Sequence, residues 1–363
     1  MPELAEVIRR FGQAYRARCG DRLLPSHRAA MRAIETCRTP VMGGQVWRCE
    51  KDGCASERYA YHSCRNRFCP KCHREQTDRW LAVHRARLPE SSWVLLTFTV
   101  PAELRHLARS HQRSVLGALM RSAAHAVLTL CRDPAYLGAV PAILAVLHTW
   151  TRAMVVYHPH VHLLVSLSGV GTAGRWVTPR HADYLVPARA LAEVFRGMMA
   201  SALRRSRLYR QVPRSAWRKA WVVDAQHAGN GETVLEYLAR YVHRVAIANS
   251  QIDAITDAGV RFHYRDRKSD TVRSCTLEPL VFLSRFLQHV LPRGFAKVRS
   301  YGLLAPRNRA RLDAVLAQFA TTGRARTRMP APAPPAPVLH RCPVCHVGTM
   351  RLVGTLPPRR GPP

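Results

Sequence analysis

Two histidines separated by a single residue, His160-Val161-His162, have a spacing that could hold a metal ion. Alternate side chains of a β-strand point to the same face, so both imidazoles would project together while Val161 packs into the core. Imidazole is the commonest metal ligand among side chains. By itself the motif is equally compatible with two partly exposed strand histidines that bind nothing.

Two tyrosines four residues apart, Tyr237 and Tyr241, lie in the segment VLEYLARYVHR. On a helix this spacing places both phenols on one face, one turn apart. A phenol with a pKa near 10 is a poor nucleophile at neutral pH unless a neighbouring group activates it. The same spacing also fits an amphipathic core stripe or a surface for stacking bases.

The cysteines between residues 49 and 72 form close pairs, separated by four residues in the first pair and by two in the second. Zn²⁺ prefers four tetrahedral ligands, and two such pairs can supply four thiolates. The predicted ligands of one structural zinc ion are Cys49, Cys54, Cys69 and Cys72. Cys64, His62 and His73 remain alternative ligands, and unliganded buried thiols are the competing interpretation.

Basic residues accompany these motifs. Arg65, Arg67 and Lys71 stand between the predicted zinc ligands, where a rigid metal-bound loop would hold them in position for phosphate contacts. A second basic group lies near Trp217 and Trp221 and consists of Arg204, Arg205, Arg207 and Arg210. Cations and aromatic rings together could form part of a channel for single-stranded DNA, although a solvated helix face explains the arginines as well.

The C-terminal part of the chain is rich in proline, and no Asp or Glu occurs after Asp313. The stretch MPAPAPPAPV predicts a stiff polyproline II spacer. It precedes Cys342 and Cys345, which are flanked by His340 and His346. This motif could be a second small zinc site or half of one, and a motif that binds no zinc is the competing interpretation.

Composition limits the class of protein. The 363 residues include 56 Lys+Arg and 23 Asp+Glu, so the net charge is +33, which favours a nucleic-acid partner. A hydrophobic content of 47% is sufficient for a folded core. The longest clean apolar run, Trp93 to Val100, is too short to span a membrane, and the N-terminus has no signal-peptide core. We therefore expect a cytoplasmic protein whose eleven cysteines bind metal or remain as thiols.

Periodicity predicts the elements that must position these residues. Helices are expected within residues 1–40 and over residues 104–130, 188–208 and 233–247, the second with Arg and His on its outer face. Strands are expected over residues 93–101, 142–150, 160–168 and 220–226, with a turn at residues 229–231. This mixture predicts an α/β or α+β domain.

Several long segments, in a fixed order over roughly residues 30 to 310, resemble the two-tyrosine rolling-circle transposases of the insertion sequence 91 family, which belong to the HUH endonucleases. They are CRTPVMGGQVWRCE, YHSCRNRFCPKC, LHTW with HPHVHLLVSLSG, VLEYLARYVHR, and FLQHVLPRGFAKVRSYGLLA. The chain departs from the family at the first cysteine pair, where family members often have two intervening residues, and at SLSG, where they often carry more glycine.

The resemblance implies an α+β fold, in which a central antiparallel sheet flanked by helices follows a helical, zinc-stapled N-terminal domain. It implies that His160 and His162 bind Mg²⁺ or Mn²⁺ and that Tyr237 and Tyr241 attack DNA to give 5′-phosphotyrosine. The metal would need a third protein ligand, for which the sequence offers His148, His158 and His243, and His158 shares the strand face of the other two. Tyr157 is in the wrong register and is expected to pack in the core.

Three domains are therefore expected. Residues 1–90 would form the zinc-binding DNA-recognition domain, residues 91–310 the catalytic domain, and residues 311–363 a basic tail. The predicted function is a transposase that nicks and rejoins single-stranded DNA. A plasmid relaxase or replication initiator shares the histidines and a tyrosine, and a zinc-dependent DNA-binding protein without catalysis is the third alternative.

Overall fold

A computed structural model describes most of the chain. The described residues are 2–72, 80–81, 83–85, 87–151, 156–179, 185–230, 235, 246–266, 270–321 and 341–359. The helices are α1 (Leu4–Cys19), α2 (Pro25–Thr36), α3 (Arg105–Ser110), α4 (Gln112–Arg132), α5 (Ala188–Arg205), α6 (Arg214–Arg218), α7 (Pro279–Leu287) and α8 (Arg309–Thr321).

Twelve strands are assigned within the described ranges, and every pairing between them is antiparallel. They are β1 (Gly44–Cys49), β2 (Glu57–Tyr61), β3 (Ser92–Thr99), β4 (Val140–Thr151), β5 (Val156–Val170), β6 (Trp176–Val177), β7 (Val222–Asn230), β8 (Ile252–Ile255), β9 (Val260–Asp266), β10 (Thr271–Leu277), β11 (Val298–Gly302) and β12 (Met350–Leu356). The predicted fold class, a central antiparallel sheet with flanking helices and a helical N-terminal part, is confirmed.

The chain divides into two compact units, each built from separate segments. The first unit contains residues 1–76, 243–290 and 330–363, and the second contains residues 77–242 and 291–329. Both differ from the predicted consecutive domains of residues 1–90, 91–310 and 311–363. The C-terminal segment shares a unit with the N-terminus because β12 pairs with β1, where the sequence suggested a separate tail.

In its described residues, the first unit combines helices α1, α2 and α7 with two small sheets. Helix α1 buries Leu4, Val7 and Ile8 on one face and packs against α2 and α7. One sheet has the order β12-β1-β2 and the other the order β10-β9-β8. In the second sheet Phe262 is fully buried and meets Phe282 of α7 edge to face, with ring centroids 5.8 Å apart.

The second unit is organised around a six-stranded sheet. Its order is β11-β4-β5-β3-β7, with β6 added beside β5. We call the face that carries Phe98 and Val161 the back face, and Phe98 packs edge to face on Phe195 of α5 at 5.1 Å. On the opposite front face, Leu95, Leu144 and Leu164 join an apolar cluster with residues of α8. The front face is therefore covered at one end by this cluster.

The observed elements follow the predicted ones with shifted limits. Helical residues 104–130 are divided between α3 and α4, because the backbone at His111 (φ −123°, ψ 48°) leaves the helical region. Strand β7 continues through Asn230, past the predicted start of a turn at Gly229. The helix predicted over residues 233–247 lies mostly outside the described residues, of which Leu235 is helical.

Helix α4 is the one helix, among the residues that the structure describes, that is long and apolar enough to cross a membrane. Its best 18-residue window is 72% buried inside the protein. Helices at the centre of a protein core meet the same criteria of length and composition, so this observation is weak evidence for a membrane span. The run from Trp93 to Val100, too short to span a membrane, forms β3 as far as Thr99, as the sequence predicts.

Candidate metal centres

Three histidines converge on the front face of the six-stranded sheet. His148 comes from β4, and His160 and His162 come from β5. One potential ligand atom of each lies within 4.8 Å of one of each of the others. The ring centroids are 4.5 Å apart for His148 and His162, and 4.9 Å apart for His160 and His162. We call these three residues the histidine cluster.

Strand pairing explains why the three imidazoles meet. His148 is directly opposite His160 in the antiparallel pair of β4 and β5, and a register shift follows between His148 and Trp150. His160 and His162 alternate with Val161, whose side chain is fully buried on the back face. His160 and His162 therefore share one face of the strand, as their spacing predicts. The neighbouring strand β4 adds His148 as a third histidine on that face.

Hydrogen bonds orient two of the three rings. Nδ1 of His160 lies 2.8 Å from the carbonyl oxygen of His158. A carbonyl only accepts, so Nδ1 must donate, and the lone pair of His160 is then on Nε2. Nδ1 of His162 lies 3.1 Å from the hydroxyl of Thr97 on β3, and a donating Nδ1 would leave Nε2 to bind a metal in the same way.

His158 is excluded from this arrangement by a different partner. The guanidinium of Arg105 on α3 donates to its Nδ1 at 2.9 Å. Burial and the neighbouring charge of Arg105 lower the pKa of His158, which keeps its ring neutral. Of the three candidates for a third ligand, His148 is the one that the structure brings to the histidine cluster, and His243 lies outside the described residues.

The structure describes Tyr157 but not the two predicted nucleophiles. Tyr157 is buried with its hydroxyl 3.4 Å from the carbonyl oxygen of Ala108, and burial raises its pKa. This agrees with the expected packing role. Tyr237 and Tyr241 lie outside the described residues. Leu235, just before them in sequence, is fully buried in the apolar cluster on the front face.

The cysteines form two groups of four, and this corrects the predicted single site. Cys37, Cys64, Cys69 and Cys72 form one group, the Cys37 cluster, and Cys49, Cys54, Cys342 and Cys345 form the other, the Cys49 cluster. The four predicted ligands are therefore divided between two clusters. The hairpin of β1 and β2 separates them, because Cys49 and Cys54 flank its turn while Cys64 follows its open end.

Sulfur distances in both clusters fit zinc. A tetrahedral site with Zn–S bonds of about 2.3 Å has sulfurs about 3.8 Å apart. In the Cys37 cluster, Sγ of Cys72 lies 3.5 Å from that of Cys37 and 3.7 Å from that of Cys64. In the Cys49 cluster, the pairs Cys49–Cys345 and Cys54–Cys342 are separated by 3.7 and 3.8 Å.

The thiols of the Cys37 cluster differ widely in pKa. The hydrogen bond from Cys64, followed by that from Cys69, lowers the pKa of Cys37 to about 2. The hydrogen bond with Cys37 raises the pKa of Cys64 to about 12. One thiolate among close neighbours opposes the ionisation of the rest, and a Zn²⁺ ion would remove this opposition by neutralising their charge.

Backbone amides donate to two sulfurs of the Cys49 cluster. The N–H of Gly348 donates to Sγ of Cys345 at 3.3 Å, and that of Lys51 donates to Sγ of Cys49 at 3.5 Å. Backbone hydrogen bonding, first from Cys345, lowers the pKa of Cys342 to about 6. The C-terminal motif is thus half of a site, with Cys345 located 296 residues beyond Cys49 in sequence.

The alternative histidine ligands are not brought into either cluster. His62 is exposed and belongs to neither cluster, and His346 is exposed beside the Cys49 cluster. His73 and His340 lie outside the described residues.

The predicted phosphate contacts near the zinc ligands differ in exposure. Arg65 is exposed, with a positive φ of 51°. Arg67 is half-buried over the ring of Phe68, and burial lowers its pKa. The ammonium of Lys71 lies 2.7 Å from the carboxylate of Glu3. Arg65 is therefore the most accessible of the three for DNA.

The second basic group is exposed, but the aromatic rings next to it already stack on one another. Arg204, Arg205, Arg207 and Arg210 are all exposed at the end of α5 and in the loop that follows. Arg204 covers the ring of Tyr209 at 4.2 Å, Tyr209 stacks on Trp217 at 5.0 Å, and Trp217 stacks on Trp221 at 5.5 Å. Trp217 has a ring against each face, so it is not available for stacking a base as it stands.

Sequence reasoning missed Thr97 and Arg105. Both precede the histidine motif by more than 50 residues, and neither belongs to a motif that a local pattern could reveal. Strand pairing was the available signal, because Thr97 is directly opposite His162 in β3.

Comparison with known proteins agrees with zinc binding by the cysteine clusters. A family model described as "Transposase zinc-binding domain" matches residues 7–100, and one described as "Putative transposase" matches residues 142–311. The protein "Putative transposase y4qJ" of Sinorhizobium fredii is 36% identical over 399 residues, which cover 100% of this chain and 97% of that protein. "Transposase for insertion sequence element IS801" of Pseudomonas savastanoi pv. phaseolicola is 29% identical over 287 residues, which cover 75% of this chain and 68% of that one. No solved structure matches the chain.

The cysteine clusters and the two family matches define a transposase with a zinc-binding domain. The chain belongs to the insertion sequence 91 family of transposases. Transposases act on DNA, which accounts for the net charge of +33. Structural zinc is supported both by the family match and by the sulfur geometry.

Proposed function

We propose that this transposase nicks and rejoins single-stranded DNA at the ends of a mobile element through 5′-phosphotyrosine intermediates, in rolling-circle transposition. The observation that carries the proposal is the convergence of His148, His160 and His162 on one face of the central sheet. A cluster of this kind supplies what a tyrosine nucleophile lacks, which is a site for a divalent cation next to the scissile phosphate.

The three imidazoles would hold the catalytic cation through Nε2. Nitrogen ligands suit Mn²⁺ better than Mg²⁺, which prefers oxygen and is usually held by carboxylates and phosphates. Either ion, once bound, would polarise the phosphate and neutralise charge that develops in the transition state. Three protein ligands are the number typical of catalytic metal sites.

Tyr237 and Tyr241 are the proposed nucleophiles. The phenol oxygen of one tyrosine attacks phosphorus, a new phosphorus–oxygen bond forms, and the bond to the 3′ oxygen breaks. The proton lost by the phenol is balanced by the proton that the leaving 3′ oxygen gains. The reverse reaction rejoins the strand without ATP, and two tyrosines allow one link to the donor strand and one to the target.

Residues around the histidine cluster prepare this reaction. The carbonyl of His158 and the hydroxyl of Thr97 fix the rings of His160 and His162. Arg105 places a cation beside His158, whose ring centroid is 5.5 Å from that of His160. A guanidinium at this position could pair with a phosphate next to the one that is cut.

The wider assignments are part of the same proposal. Residues 1–90, together with the C-terminal strand, would recognise the element ends, and residues 91–310 would carry the reaction. Arg65 and the exposed arginines of the second basic group would contact the DNA backbone. The reaction is placed in the bacterial cytoplasm, where the element and its target are found.

Incubation of the purified protein with single-stranded oligonucleotides from the element ends and Mn²⁺ tests the proposal. The expected product is a covalent protein–DNA adduct, detected by a shift in denaturing gels and mapped by mass spectrometry to Tyr237 or Tyr241. The double variant Tyr237→Phe, Tyr241→Phe should form none while retaining two zinc ions. An adduct that persists in the double variant would overturn the assignment of the nucleophiles.

A further inference from the structure

The outer face of α4 carries three basic side chains in a row. Arg121, His125 and Arg132 are exposed, whereas most of the residues between them are buried. Spacings of four and eleven residues bring these side chains to one face of a helix. Since α4 contributes to the core of the second unit through its other face, this row forms part of the surface of that unit.

Strand β11 and the turn that follows it extend this row. Tyr301 meets His125 edge to face, with ring centroids 6.3 Å apart. Arg299 alternates with Ser300 and so lies on the same face of β11 as Tyr301. Arg307 is exposed in the turn after β11. We call Arg121, Arg132, Arg299 and Arg307 the α4–β11 surface.

No ion pair within the described residues neutralises the positive charge of the α4–β11 surface. Among the residues that the structure describes, no carboxylate oxygen lies within 4.0 Å of any of its four guanidiniums. The charges are close enough to act on one group, because partial burial and then Arg121, Arg307 and Arg132 lower the pKa of His125. Like charges held together destabilise the fold by mutual repulsion, and a bound polyanion would relieve it.

The dimensions favour a polymer over a small anion. Arg121 and Arg132 are eleven residues apart on a helix, which corresponds to about 16 Å along its axis. A DNA strand places one phosphate about every 3.4 Å along the duplex, so several phosphates fit within that length. Exposed arginines spread over this distance suit an extended backbone.

The α4–β11 surface is also distinct from the histidine cluster. Tyr301 pairs with Ile143, and Ile143 alternates with Leu144, whose side chain is on the front face. Tyr301 and Arg299 are therefore on the back face, and the histidine cluster is on the front face. DNA that contacts both places must pass around an edge of the sheet.

We infer that the α4–β11 surface is a second DNA-binding site, which holds the phosphate backbone on the face of the sheet opposite the histidine cluster. The inference rests on DNA as the partner of this family and does not depend on the chemistry of the tyrosines. It also gives a role to the segment of residues 286–305, which carries the resemblance to the family but contributes no residue to the histidine cluster.

Salt dependence of DNA binding tests the inference. Each phosphate contact contributes about 0.7 to the slope of log affinity against log salt for a single strand and about 0.9 for a duplex. The triple variant Arg121→Ala, Arg132→Ala, Arg307→Ala should therefore reduce the slope by about 2 or about 3, respectively. Fluorescence anisotropy with labelled single-stranded and duplex oligonucleotides measures the slope for each form, and the form whose slope falls by the amount expected for it identifies the DNA that occupies the surface.

Two matched variants separate this effect from a general loss of charge. The control Arg109→Ala, Arg175→Ala, Arg189→Ala removes three other exposed arginines of the same unit and should leave the slope nearly unchanged. The variant Arg121→Lys, Arg132→Lys, Arg307→Lys keeps the charges and should keep the slope of the unmodified protein. An equal loss in the control and the test variant would overturn the inference. Adduct formation at saturating DNA should persist in the test variant, so failure of the tyrosine mechanism would be recognised separately.

Discussion

The two units of this transposase contain clusters of side chains that can ligate a metal, two in the first unit and one in the second, and the clusters differ in how complete they are. Both cysteine clusters of the first unit have four sulfurs at tetrahedral spacing. The histidine cluster of the second unit offers three nitrogens from two strands. Structural zinc sites are closed by four protein ligands, whereas catalytic sites keep positions open for substrate. The ligand count thus separates the sites that stabilise the protein from the site proposed to act on DNA.

The way the ligands are supplied differs as well. The histidine cluster comes from neighbouring strands of one sheet, so it exists once that sheet has formed. The Cys49 cluster joins the two ends of the chain, and β12 pairs with β1 beside it. Its assembly requires closing a loop of nearly the whole chain, which costs conformational entropy. Because zinc binding must offset this cost, its contribution to the folding of this region is large.

Removal of one ligand from the Cys49 cluster should have the largest effect. Cys342→Ser is expected to lower the zinc content from two ions to one per chain and to destabilise the sheet of β1, β2 and β12, because structural zinc contributes about 10–16 kcal/mol in zinc-finger peptides. Metal analysis and thermal unfolding measure both effects. Cys275→Ser, in the same unit and outside both clusters, is the control. Two zinc ions in Cys342→Ser would show that this cluster is not a closed site.

Removal of one ligand from the histidine cluster should affect activity and leave the zinc in place. We expect His148→Ala to reduce adduct formation more than about 100-fold, since even residues that only support metal ligands cost 10–100-fold when lost. Zinc content and thermal stability should remain close to those of the unmodified protein. His106→Ala, an exposed histidine of the same unit, is the matched control. Full activity in His148→Ala would remove the third ligand from the proposal.

Crowding against a zinc ligand provides a finer test of the Cys49 cluster. A Cβ atom at Gly348 would lie 2.4 Å from Sγ of Cys49 and 2.7 Å from Cβ of Lys51. Gly348→Ala should therefore destabilise the cluster by about 1–3 kcal/mol, as overpacking commonly does. Gly354→Ala in β12 has no atom within 4 Å of the added Cβ and is the control. Equal rates of zinc release to a chelator in the two variants would contradict the geometry.

The smallest expected effect concerns the orientation of one imidazole. Thr97→Val removes the hydroxyl 3.1 Å from Nδ1 of His162 and should weaken Mn²⁺ binding about tenfold, at the lower end for such supporting groups because the hydroxyl is neutral. Thr97→Ser keeps the hydroxyl and should restore the affinity. Calorimetric titration of Mn²⁺ measures the three proteins. No difference between Val and Ser at this position would mean that the ring is held by packing alone.

Sequence reasoning succeeded where the signal was local. The face shared by His160 and His162 follows from strand alternation, and the packing role of Tyr157 follows from the same rule. His148 could be named only as one of three candidates, because its selection depends on the register between β4 and β5. The bond from Arg105 that occupies His158 comes from a helix more than 50 residues earlier, and no local pattern contains it.

The grouping of the zinc ligands depends on contacts between residues far apart in sequence, so it could not be predicted. Spacing identified pairs of cysteines correctly but not which pairs belong together. The length of β1 and β2 moves Cys49 and Cys54 away from Cys64, and Cys37 lies outside the spacing pattern from which the ligands were predicted. Cys342 lies near Cys49 because β12 pairs with β1, although the two are far apart in sequence. Its partners could therefore not be inferred from distance along the chain.

The most direct test of the contrast between closed and open sites is metal occupancy measured in one preparation. Mn²⁺ titrated into protein that retains its zinc, followed by electron paramagnetic resonance and metal analysis, should reveal one bound Mn²⁺ and two zinc ions per chain. The variant His148→Ala, His160→Ala, His162→Ala should lose the Mn²⁺ and keep both zinc ions. Unchanged Mn²⁺ binding in this variant, or loss of zinc with it, would contradict the account.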